Sequence, residues 1–94
     1  ADKIVKDYEP EVVFNRDYNN MNNADVCIAD ISIPSTGVGF ELGVFHMLKT
    51  KTLVVYDENM PLPSSLPRGC NNFTIKSYKD INEEIEIIKN FLEK

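Results

Sequence analysis

The chain contains no tryptophan, one histidine and two cysteines among its 94 residues. Because His46 is the only histidine and no cysteine lies at metal-ligand spacing from it, the sequence argues against a zinc site and against a Ser-His or Cys-His catalytic pair. Two cysteines are too few for a disulfide framework. Cys27 lies in an apolar run and is expected to be a buried core thiol. We therefore expect no metal, no cofactor and a reducing compartment, by default the cytosol.

Long apolar runs and an excess of basic residues are also absent. No apolar stretch approaches the ~20 residues of a membrane span, and the N-terminal segment is not expected to be a signal peptide. Ten basic and fifteen acidic residues give a net charge of −5. This balance argues against binding to duplex nucleic acid or to an anionic membrane, since both need a basic face. One phosphate group can still bind through backbone amides, so small nucleotides remain candidate ligands.

Hydrophobic residues make up 43% of the chain and charged residues 27%, which fits one small domain over residues 1–94. The predicted elements are, in order, a helix over 10–22, a strand over 25–31, a helix over 37–49, strands over 52–56 and 73–76, and a helix that starts near Asp80. Residues 57–72 carry three prolines and are predicted to form an irregular loop. Strands that alternate with helices indicate an α/β fold with a mainly parallel sheet.

Apolar residues recur at helical spacing in the three predicted helices, and each set predicts a buried face. The sets are Phe14, Tyr18 and Met21 in the first helix, Phe40, Val44, Met47 and Leu48 in the second, and Ile81, Ile85, Ile88 and Leu92 in the third. Pro10 suits the first position of a helix, and Asp80 followed by Glu83 fits a helix N-cap. Four asparagines between residues 19 and 23 predict the end of the first helix.

The stretch after the first predicted strand is the most informative part of the chain. Residues 33–43 read Ile-Pro-Ser-Thr-Gly-Val-Gly-Phe-Glu-Leu-Gly, and ligands of open α/β sheets bind beyond the carboxyl ends of strands. This loop leads directly into a helix, whose free amides and positive dipole end favour an anion. Gly37 and Gly39 leave space for a ligand and Ser35 adds a hydroxyl group, so a site for one phosphate is predicted. Gly43 costs about 1 kcal/mol inside a helix, and close packing of the helix on a strand is the simplest compensation.

Two other glycine patterns deserve comparison with this loop. A dinucleotide-binding fingerprint needs its third glycine where Leu42 stands, although Asp57 follows at a suitable distance for the acidic residue. That interpretation is weakly supported and stays open. A P-loop needs a lysine in the loop, and none is present, so this interpretation is excluded.

Carboxylates near the loop are the candidate reacting groups. Glu41, in the first turns of the helix, either complements the helix dipole or takes part in chemistry. Glycoside chemistry needs a second carboxylate. Asp25 opens a strand at its amino end and is interpreted as structural, whereas Asp30 lies near the carboxyl end and either joins the site or caps the loop. Asp17 lies in the middle of the first helix, where aspartate is disfavoured, and is either an exposed polar residue or a functional one.

Residues 17–30 (DYNNMNNADVCIAD) followed by residues 34–43 (PSTGVGFELG) resemble the nucleoside 2-deoxyribosyltransferase superfamily. Within it the chain is most similar to the 2′-deoxynucleoside 5′-monophosphate N-glycosidases, which carry a Pro-Ser-x-Gly-Val-Gly-Tyr-Glu motif. Only Phe40 departs from that motif. The resemblance covers residues 14–57 well and implies a flavodoxin- or Rossmann-like three-layer sandwich. The family's N-terminal strand has no counterpart in the polar residues 1–9, so we expect either that the chain is the C-terminal part of a longer domain or that its sheet is truncated.

The resemblance also implies roles for individual residues. Glu41 is similar to the nucleophile that attacks C1′ of the deoxyribose and expels the base. Asp17 is similar to the second carboxylate, which either orients the sugar or transfers a proton. Ser35 resembles the ligand of the 5′-phosphate, assisted by the amides of Gly37 and Gly39.

The family usually forms homodimers that share a site, and Ser64 is the candidate residue for reaching the phosphate of the partner subunit. Three functions follow as alternatives. The first is hydrolysis of deoxynucleoside monophosphates to free base, which Ser35 favours because transferases commonly carry an acidic residue there. The second is exchange of bases by a related transferase, and the third is a nucleotide-binding module without turnover.

Overall fold

The computed structural model describes residues 9–94 and places them in helices and parallel strands. The helices are α1 (Pro10–Asn22), α2 (Thr36–Leu48), α3 (Ser65–Arg68) and α4 (Ile81–Leu92), and the strands are β1 (Val26–Asp30), β2 (Lys51–Asp57) and β3 (Phe73–Tyr78). The expected lack of an N-terminal strand concerns residues 1–8, which lie outside this description. The predicted order of elements is confirmed, with α3 as an addition inside the predicted irregular loop.

The three strands form one parallel sheet in the order β1-β2-β3. In the middle strand, Thr52 to Val55 are all buried, which explains why this segment is continuously apolar rather than alternating. Helix α2 packs on one face of the sheet and α4 on the other, so the described residues form three layers. The expected α/β fold with a parallel sheet is confirmed.

Two apolar clusters form the core, one on each face of the sheet. Their buried members are Ile31, Leu42, Val54 and Phe73 on the α2 face, and Leu53, Val55, Tyr78 and Phe91 on the α4 face. Neighbouring residues of β2 alternate between the two clusters, because successive side chains of a strand point to opposite faces. Both clusters are small, and the positions of α2 and α4 depend on them.

The predicted buried faces of the helices are largely wrong. In α2 the buried residues are Leu42 and Phe45, whereas Phe40 and Met47 are 58% and 77% exposed. The reason is that α2 carries apolar residues on several sides, so spacing alone does not identify the side that contacts the sheet. The helix lies on the sheet through Leu42, with Val38 packed against the same cluster.

Helices α1 and α4 show the same discrepancy. In α1, Met21 is buried, but Phe14 and Tyr18 remain exposed. In α4 the buried residue is Phe91, with Ile87 and Ile88 packed beside it. Three of the four residues predicted to face the core from α4 are more than half exposed, namely Ile81, Ile85 and Leu92. Apolar side chains on one side of a helix therefore identify the helix but not always its contact face.

The predicted helix ends are confirmed. Pro10 lies in the first turn of α1, and the helix ends within the asparagine-rich stretch. At the start of α4 the Asp80 side chain accepts a hydrogen bond from the Glu83 amide at 2.9 Å. The Glu83 carboxylate accepts one from the Lys79 amide at 2.7 Å. These short-range capping contacts depend on neighbouring residues alone, which is why the sequence predicts them well.

Candidate active site at the two sides of helix α2

Ser35 is the N-cap of α2, at the end of the loop that follows β1. Its hydroxyl oxygen accepts a hydrogen bond from the Val38 amide at 3.3 Å. The Gly39 amide donates to the Ser35 carbonyl at 3.1 Å and is therefore used within the helix. The Gly37 amide has no acceptor among residues 9–94. Of the two glycine amides predicted to hold a phosphate, Gly37 thus remains available, together with the hydroxyl hydrogen of Ser35.

A large cleft of about 980 Å³ runs along one side of α2. Ser35 and Gly39 lie on the α2 side, and Ser64 lies on the opposite side, where it caps α3. The walls include the core residues Leu42 and Phe73, so the cleft is mostly apolar with a few polar groups. Such a composition is typical of small-molecule sites. The fold therefore brings Ser35 and Ser64 of the same chain to one cleft.

Gly43 faces this cleft instead of packing on a strand. A Cβ atom at this position would have no heavy atom within 4 Å. The expectation that close helix-on-strand packing compensates for Gly43 is therefore wrong. At Gly39, too, a Cβ atom would have no heavy atom within 4 Å. The two glycines instead leave open space on the α2 side of the cleft, next to side chains such as Val38 and Leu42.

The two candidate carboxylates lie together on the other side of α2. Asp17 of α1 and Glu41 of α2 line a small cleft of about 300 Å³ beside Met21 and Phe45. Both residues are half-buried. The Arg16 guanidinium donates to the Asp17 carboxylate at 3.2 Å, in a pair that is well exposed to solvent. The structure thus brings Asp17 and Glu41 together, but it separates them from the large cleft by the width of the helix.

Cys27 lies close enough to the carboxylate cleft for the charge of Glu41 to act on its thiol group. Burial, and secondly the negative charge of Glu41, raise the pKa of the Cys27 thiol. The thiol is half-buried and packs at the margin of the core cluster, so the expectation of a fully buried core thiol is wrong. Within residues 9–94, β1 pairs with β2 only, which leaves Cys27 less covered than the residues of the middle strand.

Cys70 and His46 form a contact that the sequence did not predict. The Cys70 sulfur lies 3.3 Å from Nδ1 of His46, and both residues line the large cleft. The His46 ring also stands edge-on to Phe73, with ring centroids 6.3 Å apart. The sequence argument concerned a catalytic Cys-His pair, and it did not anticipate this contact. The two residues are far apart along the chain, and only their approach across the cleft reveals the pair.

Asp30 connects the carboxyl ends of the strands. Its carboxylate accepts hydrogen bonds from the Ser32 hydroxyl at 2.6 Å, the Ser32 amide at 2.8 Å and the Tyr78 hydroxyl at 2.5 Å. Burial by itself would raise the pKa of Asp30, but these donors outweigh it and the pKa is lowered. Of the two interpretations of Asp30, capping of the loop is the one that these contacts fit. Asp25 is exposed at the amino end of β1, away from both clefts.

Two further observations concern binding partners. None of the helices within residues 9–94 has both the length and the apolar character needed to cross a membrane. Across the same residues, His, Cys, Asp and Glu side chains nowhere gather in a group of three that could hold a metal ion.

Comparison with known proteins adds to this geometry. The sequence profile of a family described as nucleoside 2-deoxyribosyltransferase matches residues 2–90. A protein of Thermofilum pendens, provisionally named 2′-deoxynucleoside 5′-phosphate N-hydrolase 1, is 36% identical over 93 residues, which are 95% of this chain and 64% of that protein.

Two animal proteins are similar over slightly shorter stretches. A protein of Branchiostoma floridae named 5-hydroxymethyl-dUMP N-hydrolase is 33% identical, over 85% of this chain and 79% of its own length. A protein of Tetraodon nigroviridis with the same name is 32% identical, over 79% of this chain and 54% of its own length. The chain thus spans between about half and four fifths of these relatives.

Proposed function

The chain belongs to the nucleoside 2-deoxyribosyltransferase family, and we propose that it hydrolyses the N-glycosidic bond of 2′-deoxynucleoside 5′-monophosphates. The products are the free base and deoxyribose 5-phosphate. The observation that carries the proposal is the pair of carboxylates, Asp17 and Glu41, in one cleft beside the helix whose N-terminus is capped by Ser35. The names of the relatives, which describe N-hydrolases of deoxynucleoside monophosphates, support the same substrate class.

The N-terminus of α2 is the proposed phosphate site. Ser35 and the Gly37 amide supply hydrogen-bond donors, and the positive end of the helix dipole favours the phosphate charge. Ser64 faces the same cleft and supplies a second hydroxyl group. A phosphate held here contributes binding energy far from the reacting bond, which can be used to orient the sugar.

Glu41 is the proposed nucleophile. Its carboxylate attacks C1′ as the bond to the base nitrogen breaks, and a covalent glycosyl-enzyme forms. The departing base takes a proton from Asp17 or from solvent. Water then attacks C1′, gives up one proton to the same group or to solvent, and releases deoxyribose 5-phosphate while Glu41 regains its charge. Asp17 lies in the same cleft, where it either orients the sugar or transfers the proton. Both roles require Asp17 and Glu41 to stay close.

Helix geometry connects the phosphate site with Glu41. Glu41 follows Ser35 by six positions along the chain, which corresponds to a rise of about 9 Å along the helix axis. Side chains of a helix tilt toward its N-terminus, so the Glu41 carboxylate is directed back toward the turn that Ser35 caps. A nucleotide whose phosphate lies at the helix N-terminus can therefore extend its sugar across the first turns toward Glu41.

The test is chromatographic detection of free base after incubation of the chain with a panel of deoxynucleoside 5′-monophosphates. Glu41→Gln keeps the size of the side chain but removes the charge, so base release is expected to fall by at least about 1,000-fold, as for loss of a nucleophile. The matched control is Glu86→Gln, which alters an exposed carboxylate of α4 and is expected to keep full activity. Full activity in Glu41→Gln would overturn the mechanism.

The same assay separates the alternative activities. Adding a free acceptor base tests for the exchanged nucleoside, which a transferase makes through the same intermediate. A nucleotide-binding module instead binds a monophosphate saturably without releasing base. The two carboxylates lie on one side of α2 and the large cleft lies on the other. This separation favours a nucleotide-binding module without turnover as the second candidate function. Binding without turnover, retained in Glu41→Gln, is the result that would establish it.

The proposal includes a homodimer in a reducing compartment such as the cytosol. Three exposed aromatic rings flank the carboxylate cleft: Phe14 stacks on Tyr18 at 5.6 Å and meets Phe40 edge-on at 6.2 Å. Burial of such rings against a second copy would release water from apolar surface. Both cysteines are free thiols, which supports a reducing compartment. Sedimentation of the wild-type chain beside Phe40→Asp tests the dimer, which the charge is expected to dissociate.

A further inference from the structure

We propose that Tyr78, through Asp30 and Ser32, is a positioning residue that fixes the loop before α2 and thereby the phosphate site. The inference rests on the proposed function and deepens it. Tyr78 touches neither cleft, so it does not contact the nucleotide itself. Its effect passes through hydrogen bonds that join β3 to the start of the loop.

The geometry of these contacts is short and directional. The Tyr78 hydroxyl donates to Oδ2 of Asp30 at 2.5 Å, while Oδ1 accepts from both the amide and the hydroxyl of Ser32. The Ser32 oxygen in turn accepts from the Asp57 amide at 2.8 Å. These hydrogen bonds connect residues at or just beyond the carboxyl ends of the three parallel strands: Asp30 and Ser32 at β1, Asp57 at β2 and Tyr78 at β3. We call Asp30, Ser32 and Tyr78 the strand-end tether.

The tether is placed to act on the phosphate site. Ser32 is the first polar residue after β1, and Ser35, which caps α2, follows three residues later. Ile33 and Pro34, the residues between, are exposed and line the large cleft, so they contribute little packing that could hold the loop. Fixing Ser32 therefore limits how far Ser35 and the Gly37 amide can move. Tyr78 itself is buried on the opposite face of the sheet, which gives the tether a rigid base.

Charge explains why the hydroxyl of Tyr78 matters more than its ring. Donors around Asp30 stabilise its charged form, and charge-assisted hydrogen bonds are stronger than neutral ones. Glu84 of α4 faces the same carboxylate, and burial and then the charge of Asp30 raise the pKa of Glu84. Removing the Tyr78 hydroxyl leaves Asp30 with one donor fewer. The carboxylate is then expected to turn toward solvent and release Ser32.

The test compares substrates with and without the phosphate. Tyr78→Phe keeps the ring and removes the hydroxyl group. The KM for a deoxynucleoside 5′-monophosphate is expected to rise about five- to tenfold, the effect of losing one typical hydrogen bond, because Tyr78 acts on the phosphate site only through Asp30 and Ser32. At saturation kcat is expected to change less than about twofold, because the reacting carboxylates are untouched. With the unphosphorylated deoxynucleoside, kcat/KM is expected to stay at the wild-type value.

Two controls distinguish positioning from a general loss of structure. Tyr56→Phe changes a tyrosine of β2 whose hydroxyl has no hydrogen-bond partner within residues 9–94, and it is expected to behave as wild type. Ser32→Ala should reproduce the phosphate-specific effect, and Ser32→Thr, which keeps the hydroxyl group, should restore most of the affinity. A purely structural role would instead lower activity on both substrates alike and would shift the melting temperature in parallel.

Direct binding gives a readout that does not depend on turnover. Deoxyribose 5-phosphate is titrated calorimetrically into the wild-type chain, Tyr78→Phe and Ser35→Ala. Wild-type binding that weakens in both variants supports the tether. Wild-type binding that weakens in Ser35→Ala but not in Tyr78→Phe overturns the tether and leaves the proposed function standing. Wild-type protein that binds no phosphate compound overturns the phosphate site and the tether together.

Discussion

Helix α2 separates two clefts, and the side chains that face them differ in kind. Toward the large cleft the helix presents Ser35, Gly39 and Gly43, which offer a hydroxyl group and open space. Toward α1 it presents Glu41, which meets Asp17 in the small cleft. One side is suited to receive a ligand and the other to react with it. A nucleotide that uses both sides must cross the helix near its N-terminus.

This difference teaches how one short helix can serve two tasks. The helical period of 3.6 residues distributes neighbouring residues around the axis, so Glu41 and Leu42 face different surroundings although they are adjacent. Leu42 is 3% exposed and holds the helix on the sheet. Glu41 is thereby fixed on the α1 side by the packing of its neighbour. The position of the proposed nucleophile thus follows from the core.

The largest effect is expected on the carboxylate side. Asp17→Asn keeps the shape of the side chain but removes its charge and its ability to exchange a proton. We expect kcat for base release to fall about 100-fold, the usual size of an acid–base or orienting contribution. The KM for the monophosphate should change little, because Asp17 does not line the large cleft. Steady-state measurement of both parameters checks this division.

Asp25→Asn is the matched control for that change. Asp25 is exposed at the amino end of β1 and lines neither cleft, so both kinetic parameters should stay at wild-type values. A rise in KM without loss of kcat in Asp17→Asn would place Asp17 among the binding residues. The separation of roles between the two sides of α2 would then be wrong.

Short-range features of this fold could be predicted from the sequence. The apolar run of β2 and the capping residue Asp80 depend on neighbours along the chain, and both are where the sequence placed them. The family motif likewise drew attention to Ser35 and Glu41. Which side of α2 contacts the sheet was not predictable, because Phe40 and Leu42 are both apolar and only tertiary packing chooses between them.

Long-range polar contacts could not be predicted at all. Tyr78 and Asp30, like Cys70 and His46, come from distant parts of the chain. Their side chains meet because parallel strands bring corresponding ends together and because α2 lies along the start of β3. Nothing in the spacing of residues carries that information without the strand order. The sequence did not predict that Ser35 and the two carboxylates line different clefts, because this too depends on how the helices pack.

A smaller effect is expected on the cleft side, where Gly43→Ala should stabilise the fold. The backbone at Gly43 has no positive φ and a Cβ atom would meet nothing within 4 Å. The free energy of unfolding should therefore rise by about 1 kcal/mol, from helix propensity and reduced freedom of the unfolded chain. For a domain of this size the melting temperature should rise by about 4–8 °C. Thermal unfolding followed by circular dichroism measures it.

The same variant tests whether the open wall serves a ligand. If part of the bound nucleotide lies along this wall, the added methyl group should raise the KM for the monophosphate by about tenfold, the size of one methyl group in a pocket. Asn90→Ala, on the exposed side of α4, is the control and should leave the KM unchanged. Gly43→Ala with higher stability and an unchanged KM would remove this part of the large cleft from the binding site.

The smallest expected effect is on the rate at which iodoacetamide modifies Cys27, which is compared with the rate for Cys70 beside the large cleft. Burial and, secondly, the charge of Glu41 raise the pKa of the Cys27 thiol, so less of this thiol is ionised at pH 8 than of an ordinary cysteine, and iodoacetamide should modify it slowly. Glu41→Gln removes the second cause and should speed modification of Cys27, because its pKa falls and the thiolate fraction rises. Cys70 lies beside the large cleft and should react at an unchanged rate, as should both thiols in Glu86→Gln. Mass spectrometry of the two cysteine peptides gives both rates in one sample. An unchanged Cys27 rate in Glu41→Gln would show that the charge of Glu41 does not reach the Cys27 thiol.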